Sequence, residues 1–316
     1  MNTTCPEGLT VRHLQVSFRS GEETVRAVNS VDLWVKPGEK MGLIGETGCG
    51  KTVLGMAIMR LLQPDTLIDG EIIHNGVPLL EISDEKMRRM RGGKIAMILQ
   101  NSVTSLNPVV TVGRQIAEAI ELHRSLTGRA ARDEAIRLLG EVGIPDPEKR
   151  FECYPHEFSG GMNERVMIAM ALAGDPSFLI ADEPTTGLDT AVKNRIIALL
   201  QDISRERSML FITHDLAAAA QVCDRIAVMY CGEIVECGTA SEVLSAPLHP
   251  YTRGLLGSLP QNGLHPIPGM SPSLISVPPG CRFCDRCERR DERCTREHPK
   301  LTEVHTGQYV RCFFHD

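Results

Sequence analysis

Apolar and polar residues alternate around Leu14, Val16 and Phe18, and again around Val31, Leu33 and Val35. A period of two predicts two strands with one buried face each. Pro37-Gly38 supplies a turn, and the mostly apolar run 40–44 then reads as a short buried strand. The stretch 52–62 is compatible with a helix, and residues 71–74 with Asn75-Gly76 predict a strand and hairpin turn. The run 95–99 predicts a further buried strand that delivers Gln100 into a loop closed by Asn107-Pro108. Over 112–122 and 130–142 the apolar spacing becomes three and four, which predicts helices, until Pro145 and Pro147 break the pattern. A helix over 163–173, a strand over 177–181, a helix over 191–205 and strands over 209–213, 226–230 and 233–237 follow. Strands separated by helices predict an α/β fold, in which ligands bind beyond the strand C-termini. From Pro247 to Pro279 prolines recur around a short helix over 251–259, and a cysteine-rich tail ends the chain.

Between the strand 40–44 and the helix 52–62 lies Gly45-Glu46-Thr47-Gly48-Cys49-Gly50-Lys51-Thr52, which fits G-x-x-x-x-G-K-S/T, the phosphate-binding loop. Its glycines let backbone N–H groups face inward around a phosphate chain, and the helix behind offers its positive end to the same anion. Lys51 would reach the β- and γ-phosphates, and the Thr52 hydroxyl would ligate Mg²⁺. A helix N-terminus and a nearby lysine favour a thiolate at Cys49, shielded by bound ATP, against the alternative of an inert packed thiol. The strand 177–181 ends in Asp182-Glu183, a hydrolytic NTPase signal: Asp182 for the Mg²⁺ shell, Glu183 to orient and polarise water. The same pair suits a solvated strand end. Two glycines at the helix start in Phe158-Ser159-Gly160-Gly161-Met162 fit another approach to an anion, though a flexible helix entry looks alike. Phe18 suits either an adenine or the core. His214 follows the strand 209–213 at the edge where ligands bind.

At 316 residues the chain suits one large domain with an appendage. A net charge of −6 without a long basic run argues against nucleic acid as the main partner. No apolar run approaches a membrane span, and residues 1–8 form no secretory signal. That implies a cytoplasmic protein whose membrane role comes through partners. Of its 11 cysteines, Cys281, Cys284, Cys287, Cys294 and Cys312 crowd the tail, which favours a metal or cluster site over a disulfide framework.

Taken in order, these motifs resemble the ATPase subunit of an ABC transporter. Gly45 to Thr52 looks like Walker A, Gln100 like the Q-loop glutamine, and Ser159, Gly160 and Gly161 like the signature motif. Asp182-Glu183 looks like the end of Walker B, Gly187-Leu188-Asp189 like the D-loop, His214 like the switch histidine, and Phe18 like the adenine-stacking aromatic. The resemblance implies a P-loop NTPase fold of ABC type over 1–250, with a RecA-like core, an antiparallel β subdomain and a helical subdomain at about 101–175. A C-terminal Cys-rich extension over 251–316 would follow. ATP would be bound by Gly45, Glu46, Thr47, Gly48, Cys49, Gly50, Lys51, Thr52 and Phe18, with Ser159, Gly160, Gly161 and Asp189 reaching a nucleotide. Thr52, Asp182 and Gln100 would hold Mg²⁺, and Glu183, His214 and Gln100 would be catalytic. Two similar ATPase subunits would meet head to tail at the cytoplasmic face of the membrane. They would drive two permease subunits fed by an extracytoplasmic substrate-binding protein.

The run Thr104-Ser105-Leu106-Asn107-Pro108, the run His249-Pro250-Tyr251-Thr252 and the tail cysteines are similar to the peptide and nickel uptake branch. Met162, where many relatives carry glutamine, and Asn163-Glu164, in place of an arginine–glutamine pair, depart from the pattern. The branch resemblance implies a 4Fe–4S cluster on Cys281, Cys287, Cys294 and Cys312 with Cys284 a bystander; zinc is the alternative, since four thiolates suit both. A soluble ABC-type ATPase of cluster assembly or DNA repair shares every nucleotide motif. The proline-rich segment and the cysteine tail favour an importer.

Overall fold

The computed structural model describes residues 7–100 and 105–315. Its strands are β1 Leu9–Ser20, β2 Glu23–Val35, β3 Lys40–Ile44, β4 Leu67–His74, β5 Val77–Pro78, β6 Ile95–Ile98, β7 Phe178–Asp182, β8 Ser208–Thr213, β9 Arg225–Tyr230, β10 Glu233–Thr239, β11 Thr302–His305 and β12 Gln308–Val310. The chain forms two compact units, one of Met1–Glu81 with Phe211–Asp316 and one of Ile82–Leu210.

In the first unit β2, β1, β4 and β5 form an antiparallel sheet in that order. Leu9, Val11, Leu14 and Val16 of β1 are buried, a pattern that skips one step between Val11 and Leu14. A bulge takes up the step, with His13 at φ 47° and the facing strand irregular at Ser30, φ 49°. Without it, one extra residue would turn the remaining side chains to the wrong face.

A second set of strands in this unit runs β11-β12-β10-β9-β3. β3 pairs parallel with β9, Met41 opposite Arg225 and Ile44 opposite Val228. β9 and β10 form a hairpin turning at Cys231-Gly232, both at positive φ (46° and 80°), as a tight two-residue turn requires. The tail contributes the hairpin of β11 and β12, and β12 pairs with β10 through Glu236–Val310 and Cys237–Tyr309. Sequence periodicity gave no strand there, because four- and three-residue strands carry too few alternations to register.

In the second unit β6 and β7 pair parallel, Ile95 opposite Phe178 and Ile98 opposite Ala181. Helix Val112–His123 packs on Arg129–Glu141, which packs on Gly160–Leu172. Helix Asp84–Met90 adds to the expected elements, and its signals are local. Ser83 caps it by accepting from the Lys86 N–H, Asp84 and Glu85 occupy its first turn, and Arg88 and Arg89 its last. Among the described residues, no helix is long and apolar enough to cross a membrane.

Candidate nucleotide site

The first unit holds the phosphate-binding loop. The chain leaves β3 at Ile44 and enters helix Lys51–Ile58 through residues 45–50. A Cβ on Gly45 (φ 154°) would lie 2.2 Å from the Met229 carbonyl oxygen of β9, and one on Gly50 (φ 110°) 2.2 Å from that of Ala27 in β2. Only glycine fits either place, so the loop is pressed against two strands on its inner side. Its outer rim, Thr47 and Gly48, is exposed, and Thr52 is half-buried. Lys51 is buried, and its ammonium donates to the carbonyls of Gly45 at 2.8 Å and Glu46 at 3.0 Å. The loop is thus curled over its own lysine. The helix stops at Ile58, short of the expected 62, where Arg60 takes φ 49°.

Glu46 is fixed on every polar side. Its backbone N–H donates to the Tyr251 hydroxyl at 2.9 Å, and its carboxylate receives two Arg286 N–H bonds, at 2.8 and 2.9 Å, and the Ser271 hydroxyl at 2.7 Å. Burial works to raise the Glu46 pKa. The hydrogen bonds from Arg286 and Ser271, with the charges of Arg286 and Lys51, outweigh it and hold the carboxyl below its ordinary 4.5. A lowered folded pKa contributes stability above the unfolded value that is lost as pH falls through the folded one. The melting-temperature gap between wild type and Glu46→Gln is therefore expected to be open at about pH 7 and to narrow as pH falls below the ordinary carboxylate value. A gap independent of pH in thermal melts would refute this.

Of the two readings of Cys49, the packing favours the inert thiol over the thiolate. The side chain is 6% exposed, 3.9 Å from the Lys51 ammonium, and burial foremost pushes its thiol pKa up against the lysine charge. Cys49 is the packed, inert thiol of the two alternatives. Phe18 is half-buried near the end of β1, opposite Val25. His214 is exposed just after β8, and Asp215 behind it caps helix Leu216–Val222 by accepting from Ala217 and Ala218.

The second unit carries the carboxylates. β7 ends on the buried Asp182, and Glu183 follows at 8% exposure. Glu183 has φ 51°, a left-handed conformation that costs a non-glycine residue on the order of 1 kcal/mol and clusters at functional sites. The Thr186 hydroxyl donates to its Oε2 at 3.0 Å. Ser159 caps helix Gly160–Leu172 by accepting from the Met162 N–H, and Gly160 is exposed beside it. A Cβ on Gly161 would lie 2.4 Å from Cγ1 of Val192, so glycine lets this helix close on helix Thr190–Ile203. Asp189 caps the latter, accepting from Ala191 and Val192 at 3.0 Å each. Asn163 is buried, and its amide donates to the Pro155 carbonyl at 3.1 Å, which ties the signature to the turn before it. Gln100 is exposed, two residues beyond β6. Thr104 lies outside the described residues.

In the tail, Cys281, Cys284, Cys287, Cys294 and Cys312 line one small cavity with Phe283, Phe313 and Phe314. Burial foremost pushes the Cys281 thiol up to about 12, with Cys294, Cys312 and Cys287 adding to the shift. Cys284, expected to stand aside, borders the same cavity. Among the described residues, no three His, Cys, Asp or Glu side chains are grouped to hold one metal ion. The run 249–252 proves to be a bracket. Glu236 accepts from the Leu248 and His249 N–H groups at 2.8 and 2.9 Å, and His249 Nδ1 accepts from the Tyr251 N–H at 3.0 Å. Burial drives the His249 pKa down to about 3, so the ring stays neutral and can accept. Tyr251 is thereby aimed at Glu46, a role that no local sequence signal announces.

Residues 28–186 match the family model described as "ABC transporter", and residues 235–294 that described as "Oligopeptide/dipeptide transporter, C-terminal region". The chain is 46% identical to the dipeptide transport ATP-binding protein DppD of Bacillus subtilis, over 98% of its own length and 95% of the relative's. The chain belongs to the ABC transporter family. This ABC ATPase is also 45% identical to y4tR of Sinorhizobium fredii, named a probable peptide ABC transporter ATP-binding protein, over 96% of its own length and 94% of that relative. A solved dimeric structure of the ATP-binding cassette MJ0796, in a post-hydrolysis state bound to ADP and Pi, matches with a TM-score of 0.66 at 25% identity. That match covers 73% of this chain and 98% of the other. The α/β cassette fold and the ATPase activity implied by the motif order are those of the family.

Proposed function

We propose that this ABC ATPase is the motor subunit of a membrane importer for di- or oligopeptides. The observation that carries this is the paired match of cassette and C-terminal region, the second described for oligopeptide and dipeptide transporters. The relatives named for peptide transport extend the likeness along nearly the whole chain. Nickel, the other cargo of the branch, has no comparable support. Residues 45–52 and the Lys51 ammonium would receive the phosphates of ATP, and Phe18 would take the adenine. Thr52, Asp182 and Gln100 would hold Mg²⁺, which when bound would neutralise charge on the phosphates. Glu183 polarises the attacking water, with His214 and Gln100 completing the catalytic set. Ser159, Gly160 and Gly161 close on the nucleotide of a second, similar subunit, and Asp189 acts through the helix it caps. Two permease subunits convert closure into transport at the cytoplasmic face, and an extracytoplasmic binding protein delivers the peptide.

Reconstitution with the permease and binding-protein partners in vesicles tests the reading. Uptake of a labelled dipeptide is expected to require ATP and this chain. Peptide uptake that proceeds without either, or hydrolysis stimulated by nickel and not by peptide, would overturn it.

We also propose that Cys281, Cys287, Cys294 and Cys312 hold a 4Fe–4S cluster, which when bound supplies iron–thiolate bonds that staple a proline-rich segment. The support is the chemistry of the donor set: these four thiols line one cavity with Cys284 and three aromatic rings, and thiolates are the ligands such a cluster takes. Anaerobically purified protein is expected to contain iron, labile sulfide and a visible band bleached by reductant. Stoichiometric zinc without sulfide would overturn the assignment.

A further inference from the structure

Arg286 lies in the cysteine-rich tail, between Cys284 and Cys287, yet its side chain ends on the phosphate-binding loop 240 positions earlier in the chain. We propose that Arg286 is a positioning residue for ATP binding: acting through Glu46, it holds the loop in the shape that receives the phosphates and cancels the one carboxylate the loop carries.

The guanidinium has little freedom. It is 7% exposed, its Nε donates to the Pro268 carbonyl at 3.0 Å, and one terminal nitrogen also reaches the Ser271 hydroxyl at 3.0 Å. Its carbon lies 5.7 and 5.9 Å from the ring centres of Tyr230 and Phe283. Those rings stand with Tyr251 in one cluster, centroids 4.5 to 5.5 Å apart, rooted in β9 through Tyr230. A fork held this way meets the Glu46 carboxylate in bidentate geometry, the arrangement in which arginine and lysine are not interchangeable.

Glu46 transmits the constraint. The tail grips its carboxylate, Tyr251 grips its N–H, and its carbonyl accepts from the ammonium of Lys51. A shift of this residue therefore moves an acceptor of the lysine that meets the phosphates. Charge adds a second reason. A carboxylate in a polyanion-binding loop repels its ligand, and the paired Arg286 removes most of that repulsion where burial strengthens it. Preorganisation and charge cancellation both act on ATP affinity, not on the chemical step.

The inference rests on reading residues 45–52 as the nucleotide loop. Mg-ATP affinity, steady-state kinetics and melting temperature would be measured for wild type, Arg286→Met, Arg286→Lys, Glu46→Gln and the Glu46→Gln/Arg286→Met pair in the assembled transporter. Arg286→Met is expected to raise the KM for ATP about tenfold with kcat within about twofold, and Arg286→Lys, which keeps the charge without the fork, to fall between. The double variant is expected to be no worse than the worse single one, because each change removes the same contact. Wild-type KM in a folded Arg286→Met protein, or losses that multiply in the pair, would overturn the clamp and leave the nucleotide loop standing. A wild-type protein that binds no Mg-ATP would overturn both.

Discussion

Glu183→Gln is expected to leave Mg-ATP binding intact and to slow hydrolysis by at least about a hundredfold, the scale of a lost general base. The substitution is close to isosteric. Glutamine can keep the left-handed backbone at φ 51° as well as glutamate does, and its amide oxygen can still accept the Thr186 hydroxyl bonded to Oε2 at 3.0 Å. What disappears is the negative charge proposed to polarise water, at a side chain only 8% exposed. A strained, nearly buried carboxylate immediately after a strand is hard to explain as a solvated strand end, which would leave the acid open to water and its backbone relaxed. Equilibrium ATP binding and phosphate release in the assembled transporter would be measured side by side. Hydrolysis at the wild-type rate would remove Glu183 from the catalytic role.

How much of this was legible depends on the reach of each signal along the chain. The phosphate-binding loop is local: a strand, three glycines, a lysine and a helix within about twenty residues, so its reading needs no tertiary information. The parallel strands β3, β6 and β7 were equally plain as short apolar runs. The bulge in β1 was half legible, since Val11 and Leu14 break the alternation while only the register shows how His13 absorbs the step. Cys49 leaves two readings open in the sequence for a related reason. The helix end and Lys51 are visible in sequence, but desolvation is a property of the packed loop, and it outweighs both. The grip of Arg286 on Glu46 was invisible. An arginine among cysteines carries no mark of a partner 240 residues away, and the run 249–252 was seen as a family pattern before Glu236 and Glu46 gave it a physical task. The tail accordingly looked like a linker with a staple. It is in fact built into the first unit through β12 and through the loop itself.

Lys51→Ala is expected to weaken Mg-ATP binding by about a hundredfold, close to 3 kcal/mol at 1.4 kcal/mol per tenfold. Most of that comes from charge-assisted hydrogen bonds to phosphate oxygens, which are about twice as strong as neutral ones. The remainder has a source particular to this loop. The ammonium bonds the carbonyls of Gly45 and Glu46, so removing it takes the shared donor from two loop carbonyls. Arginine should not substitute, because the site is 6% exposed and the larger, planar guanidinium would have to be packed beside Cys49. The two contributions separate by experiment. Equilibrium titration reads the loss of affinity, while melting of the nucleotide-free protein reads the loop alone, since no phosphate is then present to miss its lysine. Alanine is expected to lower that melting temperature as well as the affinity. Wild-type affinity would show that Lys51 does not meet the phosphates, and an unchanged melt would show that the loop holds its curl without it.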